Sequence, residues 1–146
     1  MTIELPNLNP SSLVDSNFVR LARRVDIDKV TAMVDNGSLL WVFDVSARPS
    51  GQASAHCREL RFLLSEIVTP QLCSRLTIRE VIDRILPPLR RFFRGFEIRE
   101  LLLIARPTLS RIARQMRGVI RNGEWQVSRQ AFAAWLSARW IGNLTA

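Results

Sequence analysis

The second half of the chain contains arginine and hydroxyl side chains at a spacing that suits contact with a polyanion. On a helix, Leu109, Ile112, Ala113 and Met116 form a narrow apolar stripe, and Arg111 and Arg114 fall on the opposite side. Thr108, Ser110 and Gln115 flank these arginines, and Arg106 precedes them. A flat guanidinium matches phosphate oxygens and the O6 and N7 atoms of guanine. The segment therefore predicts a helix that can present hydrogen-bonding groups to base edges in a major groove.

Charge is distributed unevenly along the 146 residues. Residues 1–73 contain seven Lys or Arg and eight Asp or Glu, whereas residues 74–146 contain fourteen arginines and five Asp or Glu. The second half therefore accounts for the formal net charge of +8. This asymmetry favours a C-terminal half that binds a polyanion, nucleic acid above all. Charge alone leaves open the alternative of a solvated arginine-rich surface without a ligand.

The segments before and after this helix predict further short helices and a hairpin. Ile98, Leu101 and Leu102 predict a short preceding helix, residues 103–105 a tight turn, and Pro107 the first position of the next helix. Residues 119–127 predict a hairpin around Asn122-Gly123, because a type I′ turn needs positive φ at both central positions. Ser128 can cap a last helix that ends near Gly142. Helix, turn, helix, hairpin and helix form a winged helix-turn-helix, with Arg121 near the tip of the hairpin.

The rest of the chain predicts smaller elements. Residues 1–17 look irregular, Phe18–Val34 predicts a helix broken near Asp26, and residues 39–45 and 57–67 predict two paired strands with a long connection. Thr77 and Glu80 form a capping box for a helix over 78–86, which Pro87-Pro88 ends. The predicted fold class is α+β. We divide it into an irregular lead-in (1–13), a small α+β module (14–73), a capped helix and basic joint (74–94) and the winged helix-turn-helix (95–146).

Three segments together resemble the excisionase/MerR-type DNA-binding family. They are residues 106–111 (Arg-Pro-Thr-Leu-Ser-Arg), residues 122–129 (Asn-Gly-Glu-Trp-Gln-Val-Ser-Arg) and residues 131–136 (Ala-Phe-Ala-Ala-Trp-Leu). The resemblance covers residues 95–141, about a third of the chain. Leu103 stands where that family usually has glycine, and Ala105 where it has a capping serine. Residues 41–44 (Trp-Val-Phe-Asp) and 58–62 (Arg-Glu-Leu-Arg-Phe) are similar to strands of uncharacterised plasmid and prophage proteins.

The N-terminal residues do not resemble a secretory signal and no apolar run is long enough to span a bilayer, so we expect a cytoplasmic protein. The resemblance implies a protein that binds specific sites in double-stranded DNA, as a recombination accessory factor or as a transcriptional regulator of a mobile element. The candidate base-edge or phosphate contacts are Arg106, Thr108, Ser110, Arg111, Arg114 and Gln115, with Arg117 and Arg121 positioning the backbone. We expect a homodimer or a partner recombinase, since such small domains often bind paired half-sites. We expect no cofactor, no metal, no membrane association and no small-molecule substrate.

Two other functions remain as alternatives. One is a protein-interaction module whose helix-turn-helix binds no DNA. The other is a metal-dependent nuclease, because Asp44 ends one predicted strand and Glu59 begins the next, although Arg61 replaces the lysine that such sites use and an arginine cannot act as a base. Cys57 and Cys73 with His56 are too few for a structural zinc site. We expect Trp125, Trp135 and Trp140 to lie in the core, whereas Phe92 and Phe93 fit a core, a docking contact or a dimer seam.

Overall fold

The computed structural model describes residues 11–47 and 58–142. The first part contains strand β1 (Leu13–Asp15), helices α1 (Ser16–Arg23) and α2 (Ile27–Asp35), strands β2 (Val42–Asp44) and β3 (Leu60–Leu63), and helix α3 (Leu64–Val68). Helices α4 (Pro70–Cys73) and α5 (Ile78–Ile85) follow. The last part contains β4 (Phe92–Arg94), α6 (Gly95–Leu102), α7 (Arg106–Gln115), β5 (Val119–Arg121), β6 (Glu124–Ser128) and α8 (Arg129–Ala138). The protein is α+β, as predicted.

The strands form two antiparallel sheets of three strands each. In the first sheet the order is β1-β3-β2, with Val14 opposite Phe62 and Val42 opposite the same residue. In the second sheet the order is β4-β6-β5, with Phe93 opposite Val127. The predicted pairing of two strands across a long connection is confirmed, and β1 adds a third strand that the sequence did not indicate.

The same order of elements occurs twice in the chain. Strand, helix, helix, two strands and helix run from β1 to α3 and again from β4 to α8, and the two sheets share one strand order. Arg24 and Leu103 follow the first helix of each set with φ of 54° and 55°. β1 and β4, α1 and α6, and these two residues are all separated by the same number of positions. We call residues 13–68 the first repeat and residues 92–138 the second repeat.

The first sheet separates two apolar clusters, because successive side chains on a strand point to opposite faces. Val14, Val42 and Phe62 face α1 and α2 and join a cluster with Val19, Val30 and Val34. Leu13, Phe43 and Leu63 face the other way and join a larger cluster that includes Leu102, Ile112 and Phe132 of the second repeat. One face of the first sheet therefore packs against helices of the first repeat, and its other face packs against the second repeat.

Local signals in the sequence explain most helix boundaries. Thr77 and Glu80 form the predicted capping box of α5. The Ser128 hydroxyl accepts the backbone N–H of Ala131 at the start of α8, at a distance of 3.1 Å. The helix break near Asp26 is also confirmed, since the Asp26 carboxylate caps α2 by accepting the N–H of Lys29.

Several predicted boundaries were wrong. Residues 13–17 are not irregular, because they form β1 and the start of α1. Residues 92–94 form a strand, and α8 ends at Ala138 instead of near Gly142. Pro107 is the second residue of α7, which begins at Arg106. The predicted loop at 46–56 lies mostly outside the described residues, as do His56 and Cys57, whereas Cys73 is buried and forms no disulfide.

Candidate nucleic-acid interface

Helix α7 has one buried side and one open side. Leu109, Ile112 and Ala113 are buried against the larger apolar cluster, and Met116 follows them after the last turn. Arg106, Arg111 and Arg114 are exposed, whereas Thr108 and Ser110 are half-buried. The apolar stripe therefore fixes which side of α7 faces solvent, and that side carries arginine.

The exposed arginines near α7 are not neutralised by neighbouring carboxylates. Among residues 11–47 and 58–142, the three ion pairs are Arg61–Glu59, Arg90–Glu97 and Arg129–Asp83. Arg106, Arg111, Arg114, Arg117 and Arg121 take part in none of these. An array of cations without internal partners is the electrostatic footprint expected of a surface that neutralises phosphates.

The β5–β6 hairpin stands beside α7. Its turn has φ of 53° at Asn122 and 78° at Gly123, the two positive values that the Asn-Gly pair predicted. Arg121 lies exposed at the end of β5, opposite Glu124. A cleft between the hairpin and the starts of α6 and α7 is lined by Arg99, Arg106, Ser110, Asn122 and Glu124, among others. Of the predicted contact residues, Arg106 and Ser110 line this cleft, whereas Arg111, Arg114 and Arg121 do not.

The turn before α7 is formed without the usual residues. Leu103 adopts a left-handed conformation at φ 55°, which costs a non-glycine residue about 1–2 kcal/mol. Ala105 occupies the N-cap of α7 and supplies no side-chain hydrogen bond. The turn is nevertheless closed by the Ile104 N–H, which donates to the carbonyl of Arg99 at 3.2 Å. The turn therefore has neither a glycine at the left-handed position nor a capping side chain at the start of α7.

Arg61 of the first repeat contacts that turn directly. Its Nε donates to the carbonyl of Leu102 at 2.7 Å, and its Nη2 donates to the carbonyl of Leu103 at 2.8 Å. Burial lowers the pKa of Arg61, and the charges of Glu59 and Asp15 act in the opposite direction. Nothing in the sequence pattern indicated this contact, because the partners are backbone atoms more than forty positions away.

Gln115, predicted as a DNA contact, is an exposed residue whose amide also forms hydrogen bonds within the chain. Its Oε1 accepts the indole N–H of Trp135 at 3.0 Å and Nη2 of Arg139 at 2.9 Å. Its Nε2 donates to the carbonyl of Ala47 at 2.6 Å. Both ends of the amide therefore have partners within the chain, and these hydrogen bonds join the C-terminal end of α7 to Ala47, Trp135 and Arg139. The guanidinium of Arg139 also lies 4.7 Å from the centre of the Trp135 ring.

The aromatic residues lie mostly in the core. Trp135 is buried, Trp140 stacks on Trp41 with ring centroids 4.8 Å apart, and Trp125 is half-buried. Phe93 is buried edge-to-face against Phe132, whereas Phe92 is about half exposed. The expected packing of the three tryptophans is confirmed, and the two phenylalanines divide between core and surface.

The carboxylates considered for metal chemistry have structural contacts. Asp44 is buried and accepts the backbone N–H groups of Ser46 and Glu59, at 3.1 and 3.3 Å. Glu59 is exposed and lies 3.8 Å from Arg61. Within the described part of the chain, no group of three or more His, Cys, Asp and Glu side chains is placed to hold a metal ion. The hydrogen bonds of Asp44 join the chain after β2 to the chain before β3.

Comparisons with protein-family models, with curated proteins and with solved structures find no match for this chain. In the part of the chain that the structure describes, no helix has the length and apolar character needed to cross a bilayer.

Proposed function

We propose that this chain is a sequence-specific double-stranded DNA-binding protein. In this proposal β4 to α8 form a winged helix-turn-helix, in which α6 and α7 are the helix pair and β5–β6 the wing. Helix α7 enters the major groove, which is wide enough to admit one α-helix. Its exposed side then presents arginine and hydroxyl groups to the base edges. The role is that of a recombination accessory factor or of a regulator, without a chemical step of its own.

One observation carries the proposal. Arg106, Arg111 and Arg114 lie on one helix whose other side is buried, and none of them is paired with a carboxylate in the described residues. A ligand with spaced negative charges and hydrogen-bonding edges fits that side better than a protein surface of mixed charge. Arg117 and Arg121 extend the same positive surface towards the wing, where they can contact phosphates.

Selection of bound fragments from a random duplex library tests the proposal. We expect one short sequence to be enriched and to bind more tightly than a scrambled duplex of the same length at modest salt. Recovery of fragments without any common sequence would overturn sequence-specific binding. The absence of any electrophoretic shift would instead favour a protein-interaction module, and magnesium-dependent nicking of plasmid DNA would favour a nuclease.

A further inference from the structure

The first repeat shares the element order of the second but not its cations. Where α7 carries Arg106, Arg111 and Arg114, the matching positions of α2 carry Ile27, Ala32 and Asp35. The matches follow from the spacing that relates β1 to β4, α1 to α6 and α2 to α7, which also places Arg24 against Leu103. α2 contains one cation, Lys29, beside Asp28 and Asp35. This helix therefore has the place of a reading helix without the charge to approach phosphates.

The first repeat instead contacts the turn before α7 and the C-terminal end of α7. At the turn, Arg61 of β3 donates to the carbonyls of Leu102, the last residue of α6, and of Leu103, at 2.7 and 2.8 Å. The side chain of Arg61 is only 11% exposed, so the contact is held within packed surroundings. Its two donors reach two successive carbonyls, which restrains the direction of the chain as it enters α7.

At the C-terminal end the contact comes from the chain that leaves β2. The carbonyl of Ala47 accepts Nε2 of Gln115 at 2.6 Å, and the carbonyl of Ser46 accepts Nη1 of Arg139 at 2.8 Å. Arg139 and Gln115 are themselves joined at 2.9 Å. Residues 46–47 follow β2 and Arg61 lies on β3, so the chain around one β2–β3 pair contacts both the turn that leads into α7 and the C-terminal end of α7.

We propose that the first repeat is an orienting unit, a winged-helix copy that binds no DNA through α2 and instead sets the position of α7. The inference rests on the proposed function. Base contacts require a reading helix to be held within about 0.5 Å and 10–20° of its productive position. The turn before α7 is strained at Leu103 and lacks a capping side chain, so it depends on support from outside the second repeat. Arg61 provides that support and is a positioning residue.

Arg61→Met tests the proposal, since methionine keeps the length of the side chain and removes its donors. We expect the ratio of affinities for the selected site and for a scrambled duplex to fall roughly three- to thirtyfold. Affinity for the scrambled duplex and its salt dependence should not change, since no phosphate contact is lost. Arg61→Lys, which keeps one donor, should restore part of the ratio. Arg58→Ala, a loss of the same charge at an exposed neighbour, should leave the ratio unchanged.

Gln115→Met tests the other end of α7 and serves alone if Arg61→Met does not fold. It should lower the same ratio without altering binding to the scrambled duplex. An unchanged ratio in a folded Arg61→Met or Gln115→Met protein would overturn the proposal, as would an equal loss on both duplexes. Wild-type protein without any sequence preference would instead overturn the proposed function itself.

A matched pair of variants tests whether α2 contacts DNA. Lys29→Ala removes the cation of α2, and Arg111→Ala removes a cation of α7. We expect the first variant to bind the selected site as wild type does and the second to bind it at least about fivefold more weakly, the loss of one base contact. Equal losses in the two variants would show that α2 contacts DNA and would overturn the orienting role.

Discussion

The indole N–H of Trp140 donates to the backbone carbonyl of Leu40 at 2.7 Å, across one hundred positions of sequence. Next to it, the N–H of Ile141 donates to the carbonyl of Val42, and the N–H of Asp44 donates to the carbonyl of Arg139, both at 2.9 Å. The segment after α8 therefore pairs with β2, the edge strand of the first sheet. The last described residues of the chain complete the first repeat.

Gly142→Ala should release this segment. A Cβ at Gly142 would lie 1.7 Å from the Leu40 carbonyl oxygen, so backbone must move, and we expect a loss of about 1–3 kcal/mol in the free energy of unfolding. Hydrogen exchange should become faster at the amides of Asp44 and Ile141. Gly123→Ala is the control, because φ is 78° there but no atom lies within 4 Å. It should cost stability through backbone strain while leaving both amides protected. Unchanged exchange in Gly142→Ala would contradict the tight approach.

Arg111→Ala should weaken binding to the selected DNA site by roughly 1–3 kcal/mol and broaden the set of sequences bound. The reason is that Arg111 stands in the middle of the exposed side of α7, where base edges lie in the proposed complex. Fluorescence anisotropy with the selected duplex and with single-base variants measures both effects. Arg79→Ala, an exposed arginine of α5, is the control for loss of charge alone. If affinity fell equally for every duplex, Arg111 would contact phosphate and not a base.

Arg117→Ala should act on phosphate binding instead. A surface that engages five phosphates gives a plot of log affinity against log salt with a slope of about −4 to −5. Removal of Arg117 should reduce the magnitude of that slope by about one and weaken binding to all sequences alike. Titrations at four or more salt concentrations measure the slope. A slope identical to that of wild type would show that Arg117 does not contact the DNA backbone.

Glu66 should make stability depend on pH. Its buried carboxylate accepts the N–H groups of Leu40 and Trp41, at 3.0 and 2.9 Å. Burial raises the pKa of Glu66, although these hydrogen bonds and the charge of Arg23 oppose the rise. The folded protein therefore keeps this proton to a higher pH than the unfolded chain does. Its free energy of unfolding consequently declines as pH rises from the ordinary glutamate pKa through the raised one.

Glu66→Gln removes this dependence. The free energy of unfolding of wild type minus that of the variant should decrease across the same pH window and become constant above it. Denaturant titrations at intervals of half a pH unit measure the difference. A difference that grows with pH would mean that the hydrogen bonds outweigh burial and that the pKa is lowered.

Short-range signals in the sequence predicted the parts of the fold that depend on neighbouring residues. The capping box at Thr77, the turn at Asn122-Gly123 and the cap at Ser128 each involve atoms within a few positions, so the residue types suffice. The stripe of α7 was equally visible, because a buried side at helical spacing leaves its opposite side in solvent. Those features supply most of the candidate site.

Features that depend on distant backbone could not be predicted. β1 and β4 have three residues each and exist because β3 and β6 pair with them, which no periodicity over three residues can indicate. Gln115 is exposed, as its place on α7 indicates, but its hydrogen bonds to Ala47, Trp135 and Arg139 involve residues distant in the sequence. The repeat could not be recognised in the sequence, because matching positions of the two repeats are both buried but hold different residue types. Val19 and Ile98 are one such pair, and Val30 and Leu109 are another.

The pairing of residues 139–141 with β2 has a consequence for synthesis on the ribosome. Helices α1 and α2 can form early, but their sheet keeps an open edge and the indole of Trp41 lacks its stacking partner until Trp140 has left the exit tunnel. Closing that contact joins positions far apart in the sequence, which is a slow step in folding. Until that contact forms, the edge of β2 and the indole of Trp41 stay accessible to other chains, and chaperones that bind such surfaces should associate with the newly made protein.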